Sequence, residues 1–172
     1  MAAITLQGNP IHTNAELPAL GEQAPDFKLV DKDLNDVSLQ DFVGKKKIIS
    51  IVPSLDTPVC AVSTKKFADF VAARNDVVVL IVSADLPFAM TRFCSSEAVD
   101  GVITLAMMRN KDFANDYGVL IEDGPLAGIT ARAVLALSSD NQVLYTELVS
   151  EIANEPDYDA VLAALDLSLI HI

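Results

Sequence analysis

The chain has 172 residues, 51% of them hydrophobic, enough for one domain with a sizeable core and too little for two ordinary ones. Lys and Arg number 12 against 24 Asp and Glu, a net charge of -12, which argues against nucleic acid or an anionic membrane as partner because the phosphate attraction becomes repulsion. No apolar run approaches the ~20 residues of a membrane span, and two cysteines are too few for a secreted disulfide framework.

In chain order, ITLQGNPIHT predicts a hairpin over about residues 1–14, turning at Gly8-Asn9. The opening MAAITLQGNPIHT has neither the basic region nor the long apolar stretch of a signal peptide, so a cytoplasmic protein is expected. ELPALGEQAPDF, with Pro18, Gly21 and Pro25, reads as a surface loop, and FKLVDKDLNDVSL as two short extended pieces around an Asp/Asn turn. KKIISIV (46–52) has the β-branched content of a buried strand. From Val59 onward, Val62, Phe67, Phe70 and Val71 suit one helical face. DVVVLIVSAD is a second buried strand, followed in LPFAMTRFC by a helix with Asp85 and Pro87 as start signals. GVITLAM is a third strand, KDFANDYGV a short helix, and ARAVLALS with QVLYTELV a strand pair across Ser139-Asp140-Asn141. DYDAVLAAL closes the chain as a helix.

Strands alternating with helices imply parallel pairing, and the late hairpin adds antiparallel strands. The expectation is a single α/β domain over 1–172: a central mixed β-sheet flanked by helices in the thioredoxin-like order, with an N-terminal hairpin extension.

One stretch raises a chemical question. In PSLDTPVCAVSTKKF (53–67), Thr57 is a good N-cap and Pro58 a natural first helical residue, which puts Cys60 third in the helix. Unpaired N–H groups and the helix dipole favour an anion there, and a cysteine can become one. The terminus contributes only about 0.3–1 kcal/mol, so by itself it leaves a thiol mostly protonated at neutral pH. A nearby guanidinium adds more, yet thiolate formation alone makes a modest catalyst, and a fast enzyme needs groups that position substrate and stabilise the transition state. The residues alone leave two readings of Cys60 about even: a small buried hydrophobe, or a reactive thiol.

Pro53, Thr57 and Cys60 form P-x-x-x-T-x-x-C behind a buried strand, which resembles the active-site signature of the peroxiredoxins. PSLDTPVCAVSTKKF, SADLPFAMTRFC (83–94), RNKDFANDYGV (109–119), DGPLAGITARAV (123–134) and EPDYDAVLAAL (155–165) together resemble the bacterial thiol peroxidase subfamily over essentially the whole chain; the tail DLSLIHI (166–172) matches nothing in it.

The resemblance implies roles. Cys60 is the peroxidatic thiolate, attacking a hydroperoxide and becoming a sulfenic acid. Cys94 is the resolving thiol, condensing with it to an intramolecular disulfide; a buried inert thiol and a permanent structural bridge are the alternatives. Thr57 offers a hydroxyl to the thiolate and the peroxide, or serves only as the N-cap. Pro53 fixes the turn and shields the sulfur from water, or is an ordinary strand-ending proline. Arg132, alone in the uncharged run TARAVLALS, places its guanidinium beside thiolate and peroxide; its alternative is a strand-end arginine paired with a carboxylate or reaching solvent. Phe88, Met90 and Phe93 are candidates for an apolar approach for alkyl hydroperoxides, though at helical spacing they also suit a core. A disulfide needs Cα atoms within about 7 Å, so two helical cysteines imply that the first turn around Cys60 unwinds in turnover.

There is no C-x-x-C in the chain, so an external dithiol must reduce the disulfide, and the resemblance implies thioredoxin, with a homodimer also common in the family. The two histidines, His12 and His171, form no H-E-x-x-H, haem or zinc pattern, and no dinucleotide or Walker motif occurs, so no cofactor or metal is implied. A redox sensor or relay, and a non-catalytic thioredoxin-fold binding module, stand as alternatives to the enzyme.

Overall fold

The computed structural model describes residues 1–170; His171 and the end of the unmatched tail lie outside the described residues. Among these, β1 (Ala3–Leu6) and β2 (Asn9–His12) form a separate two-stranded antiparallel sheet. Its turn is Gln7-Gly8, one residue earlier than the sequence indicates. Both residues have positive φ (51° and 81°), the geometry of a two-residue turn whose twist matches the strands, and Gly adopts it without strain.

Seven strands make the main sheet: β3 (Leu29–Val30), β4 (Asp36–Val37), β5 (Lys46–Ile51), β6 (Val77–Ser83), β7 (Val102–Ala106), β8 (Ala133–Leu137) and β9 (Val143–Leu148). Their spatial order is β4-β3-β7-β6-β5-β8-β9. β5, β6 and β7 run parallel; every other pairing is antiparallel. The parallel joins are made by α1 (Pro58–Ala72) and α2 (Pro87–Ser96); α3 (Asp112–Asp116) and α4 (Tyr158–Ile170) complete the helices. The α4 helix runs on past Leu165, where the sequence pattern ends it. The expected mixed sheet, flanking helices and N-terminal hairpin are therefore all present. No helix among the described residues is long and apolar enough to cross a membrane.

The pleat sorts the central strands into two cores. Ile49, Ile51, Leu80, Val82, Leu105 and Leu135 pack with Phe113 and Tyr117 around α3. Ile48, Val79, Ile81, Val134 and Ala136 point the other way, against Phe67 and Val71 of α1, Met90 and Phe93 of α2, and Val161 and Leu165 of α4. Covered on both faces, the strands carry continuous apolar runs rather than alternation, which is why they were legible.

The buried face of α1 differs from the expected one. Val62 is exposed, and the buried stripe runs Cys60, Ser63, Thr64, Phe67, Ala68, Val71. Two hydroxyls can sit there because Ser63 Oγ and Thr64 Oγ1 donate to the Cys60 carbonyl at 3.1 and 2.7 Å, so neither is buried unpaired.

Candidate functional site

β5 and β6 end side by side, and the chain that leaves β5 crosses their carboxyl ends as the loop 52–57 before α1 begins. Thr57 is the N-cap with extended backbone, Pro58 opens the helix, and Cys60 is its third residue, as the sequence indicated. The Cys60 side chain is wholly buried.

What lies beside the sulfur is Arg132. Its Nη1 donates to Cys60 Sγ at 3.0 Å and its Nε to the Ile152 carbonyl at 2.8 Å. Arg132 immediately precedes β8, and its carbonyl accepts at 3.0 Å from the backbone N of Val149, the residue that follows β9. It is 3% exposed. Neither ordinary explanation of this arginine applies: it does not reach solvent, and no ion pair joins it to a carboxylate among the described residues. A buried guanidinium without a counter-ion is costly. The Cys60 sulfur is the group that faces this charge.

Thr57 does not cap α1 with its side chain. Its Oγ1 donates instead to the Ser54 carbonyl at 2.9 Å. Pro53 is buried at the start of the same loop. An apolar pocket of about 360 Å³ opens over Pro53, Thr57 and Arg132, its other walls including Leu6 from β1, Leu126, Ile129 and Ile152. Arg132, whose guanidinium bonds the sulfur, forms part of its lining.

Phe88, Met90 and Phe93 do not line this pocket. Met90 and Phe93 are buried in the same hydrophobic cluster as Cys60. Phe88 is 63% exposed and, with Phe93 and Arg92, borders a different cavity. Met90 and Phe93 pack α2 on the sheet, the core alternative, whereas the pocket is walled by the hairpin and by the segment before β8. Leu126 and Ile129 stand inside the recognised block 123–134, but nothing in their local pattern tells that they converge with Leu6.

Cys94, on α2, is half-buried, and both it and the buried Cys60 are free thiols. Burial pushes the Cys94 thiol up, partly countered by the charge of Lys32. It opens onto a third cavity, of about 350 Å³, bordered by Lys32, Thr91 and Thr104 and none of the residues around Arg132.

Asp85, which the sequence pattern marks as a helix-start signal, also belongs to this region. Asp85 does not cap α2, whose N-cap is Leu86. Its carboxylate accepts from Ser54 Oγ and Leu55 N, both at 2.8 Å, and from Ser83 Oγ at 3.0 Å.

The arrangement is therefore a buried thiol held against a buried arginine that also borders an apolar pocket, with a second thiol on the next helix. Comparison with known proteins agrees. The sequence matches the Redoxin family over residues 19–162. It is 52% identical over 165 residues to a thiol peroxidase of Mycobacterium bovis, covering 96% of this chain and 99% of that one. Against a thiol peroxidase of Leptospira interrogans the identity is 46% over 171 residues, covering 98% and 100%. A crystal structure of a peroxiredoxin-like protein from Aquifex aeolicus superposes with a TM-score of 0.89 at 40% identity, covering 97% of this chain and 98% of that one. A thiol peroxidase from Chromobacterium violaceum shares the fold at a TM-score of 0.91, with 23% identity over 99% and 98% of the chains. With the thiol, the guanidinium and the fold that holds them in place, the chain belongs to the redoxin family, among its thiol peroxidases.

Proposed function

We propose that the chain works as a thiol-dependent peroxidase of the peroxiredoxin type in which Cys60 attacks, Cys94 resolves and Arg132 serves both the thiolate and the peroxide. The observation that carries this is the 3.0 Å bond from Arg132 Nη1 to Cys60 Sγ.

The Cys60 thiolate attacks the terminal oxygen of a hydroperoxide and the O–O bond breaks. Sulfur is oxidised by two electrons to the sulfenic acid, and the departing alkoxide or hydroxide takes a proton to leave as alcohol or water. Arg132, with donors in a fixed fork, stabilises the charge moving onto that oxygen. Pro53 and the apolar walls exclude water, and Leu6, Leu126 and Ile129 give an alkyl group somewhere to lie. Cys94 then attacks the sulfenic sulfur, its hydroxyl leaves as water with the thiol's proton and the disulfide forms. For that the first turn of α1 opens, since Cys60 is wholly buried while Cys94 opens onto a separate cavity. An external dithiol of the thioredoxin type restores both thiols by exchange. We assign the work to a single cytoplasmic domain and a homodimer, on the strength of the resemblance.

Stopped-flow consumption of hydrogen peroxide and cumene hydroperoxide, with thioredoxin and its reductase, tests this. Turnover vanishes in Cys60→Ser, and Cys94→Ser reacts with peroxide but does not recycle through thioredoxin. A folded, fully reduced wild type that fails to turn over contradicts the proposal and leaves a sensor or binding role.

A further inference from the structure

Asp85 lies in the turn between β6 and α2, two residues beyond Ser83, which ends β6, and two before Pro87, which opens α2. Its carboxylate does not serve its own helix. One oxygen accepts from Ser54 Oγ at 2.8 Å; the other accepts from Leu55 N at 2.8 Å and from Ser83 Oγ at 3.0 Å. Ser54 passes the constraint on: its Oγ accepts from Asp56 N at 3.1 Å, and its carbonyl holds both the backbone N–H of Thr57 (3.3 Å) and the Thr57 hydroxyl (2.9 Å). A chain of bonds thus runs from Asp85 through Ser54 to Thr57, three residues before Cys60.

We infer that Asp85 is a positioning residue that latches the 54–57 loop in the peroxide-reactive form and sets how readily the Cys60 turn opens to meet Cys94. The inference rests on the assignment of Cys60 and Cys94 above. The physics is a competition at one intermediate. While the latch is closed, Thr57 and Arg132 stay in place around the Cys60 sulfur, and the sulfenic acid is exposed to a second peroxide, which oxidises it to the sulfinic acid. When the latch opens, the turn is free to unwind, and Cys94 condenses with the sulfenic sulfur, releasing water. Hydrogen bonds to a charged acceptor are the stronger kind, so their loss moves such a balance measurably.

The latch therefore controls the division between sulfinic acid and disulfide, a quantity that stability alone does not move. Reduced protein is treated with increasing hydrogen peroxide, without reductant, and intact-mass spectrometry separates disulfide (two hydrogens lost) from sulfinic acid (two oxygens gained). Asp85→Ala lowers the sulfinic-to-disulfide ratio at a given peroxide concentration by about tenfold and slows the first oxidation. Ser54→Ala, which removes one arm of the latch, moves the ratio the same way by about threefold. Asp85→Asn keeps an acceptor for Leu55 N and falls between wild type and Asp85→Ala. A folded Asp85→Ala with the wild-type ratio overturns the inference. If that variant does not fold, a wild-type ratio in Ser54→Ala overturns it instead. A wild type that yields neither product contradicts the thiol assignment and takes the latch with it; a wild type that oxidises with a ratio all the variants share contradicts the latch alone.

Discussion

Thr57 Oγ1 donates its one proton to the Ser54 carbonyl at 2.9 Å and so has none to give the Cys60 sulfur. What it retains is acceptor capacity, suited to the O–H of an incoming hydroperoxide. Thr57→Val, nearly the same in shape, removes that capacity and slows the first oxidation by about 10²-fold, the usual cost of one oriented catalytic hydrogen bond. Thr57→Ser keeps the oxygen and stays within a few-fold of wild type. Peroxide loss under single-turnover conditions compares the three.

The pocket walls predict selectivity. Replacing Leu126 and Ile129 together by Ala removes several methyl and methylene groups from the pocket wall, each giving about 0.8 kcal/mol when a bound substrate covers it. The KM for cumene hydroperoxide rises by about tenfold or more, while the reaction with hydrogen peroxide, too small to use those walls, changes little. Phe88→Ser, at a different cavity, leaves both substrates unaffected. Steady-state kinetics with the two peroxides checks the contrast.

These residues mark where sequence reading stops. The buried strands, the position of Cys60 in the first turn of α1 and the placement of both cysteines were legible because each depends on local periodicity or a local cap. The face of α1 was misjudged at Val62 because a polar stripe, Ser63 and Thr64, is buried with its hydroxyls on the Cys60 carbonyl. Arg132 was singled out as a charge in an apolar run, yet its partner is 72 residues away and no spacing reveals it. Leu6, Leu126 and Ile129 meet only through the tertiary fold, and Asp85 looked like a helix signal because its true partners, Ser54 and Leu55, lie on a neighbouring strand's loop.

Burial of Cys94 gives a pH dependence with a definite sign. The folded protein holds this thiol above its ordinary value of 9.0 because burial penalises the thiolate. The neutral thiol's contribution to stability is therefore fully present below pH 9 and is lost as pH rises from there through the higher folded value. Reduced wild type loses more stability between pH 8 and pH 10 than Cys94→Ser does, by urea unfolding at the two pH values. Equal losses would contradict it.

Gly118 tests how the hairpin is tethered. It follows α3 with φ +71°, and a Cβ there would meet the Glu16 carbonyl oxygen at 2.1 Å. The same contact region holds Asn14, whose backbone N donates to the Leu120 carbonyl at 2.9 Å. Gly118→Ala adds backbone strain to a clash with another backbone atom, and costs about 3 kcal/mol or more. The urea midpoint reads the loss. Since the hairpin supplies Leu6 to the pocket, any of the variant that folds also shows a raised KM for cumene hydroperoxide.

The measurement that bears most directly on the account is the single-turnover rate of hydrogen peroxide loss with reduced wild type and Arg132→Met, both in their folded states. Met fills much of the guanidinium's volume without its charge or its donors. The account predicts a fall of about 10²–10³-fold, with Arg132→Lys recovering only part of it, because an ammonium lacks the planar fork that bonds Ile152 and Cys60 together. A folded Arg132→Met that oxidises within a few-fold of wild type would contradict the claim that this buried guanidinium makes Cys60 reactive.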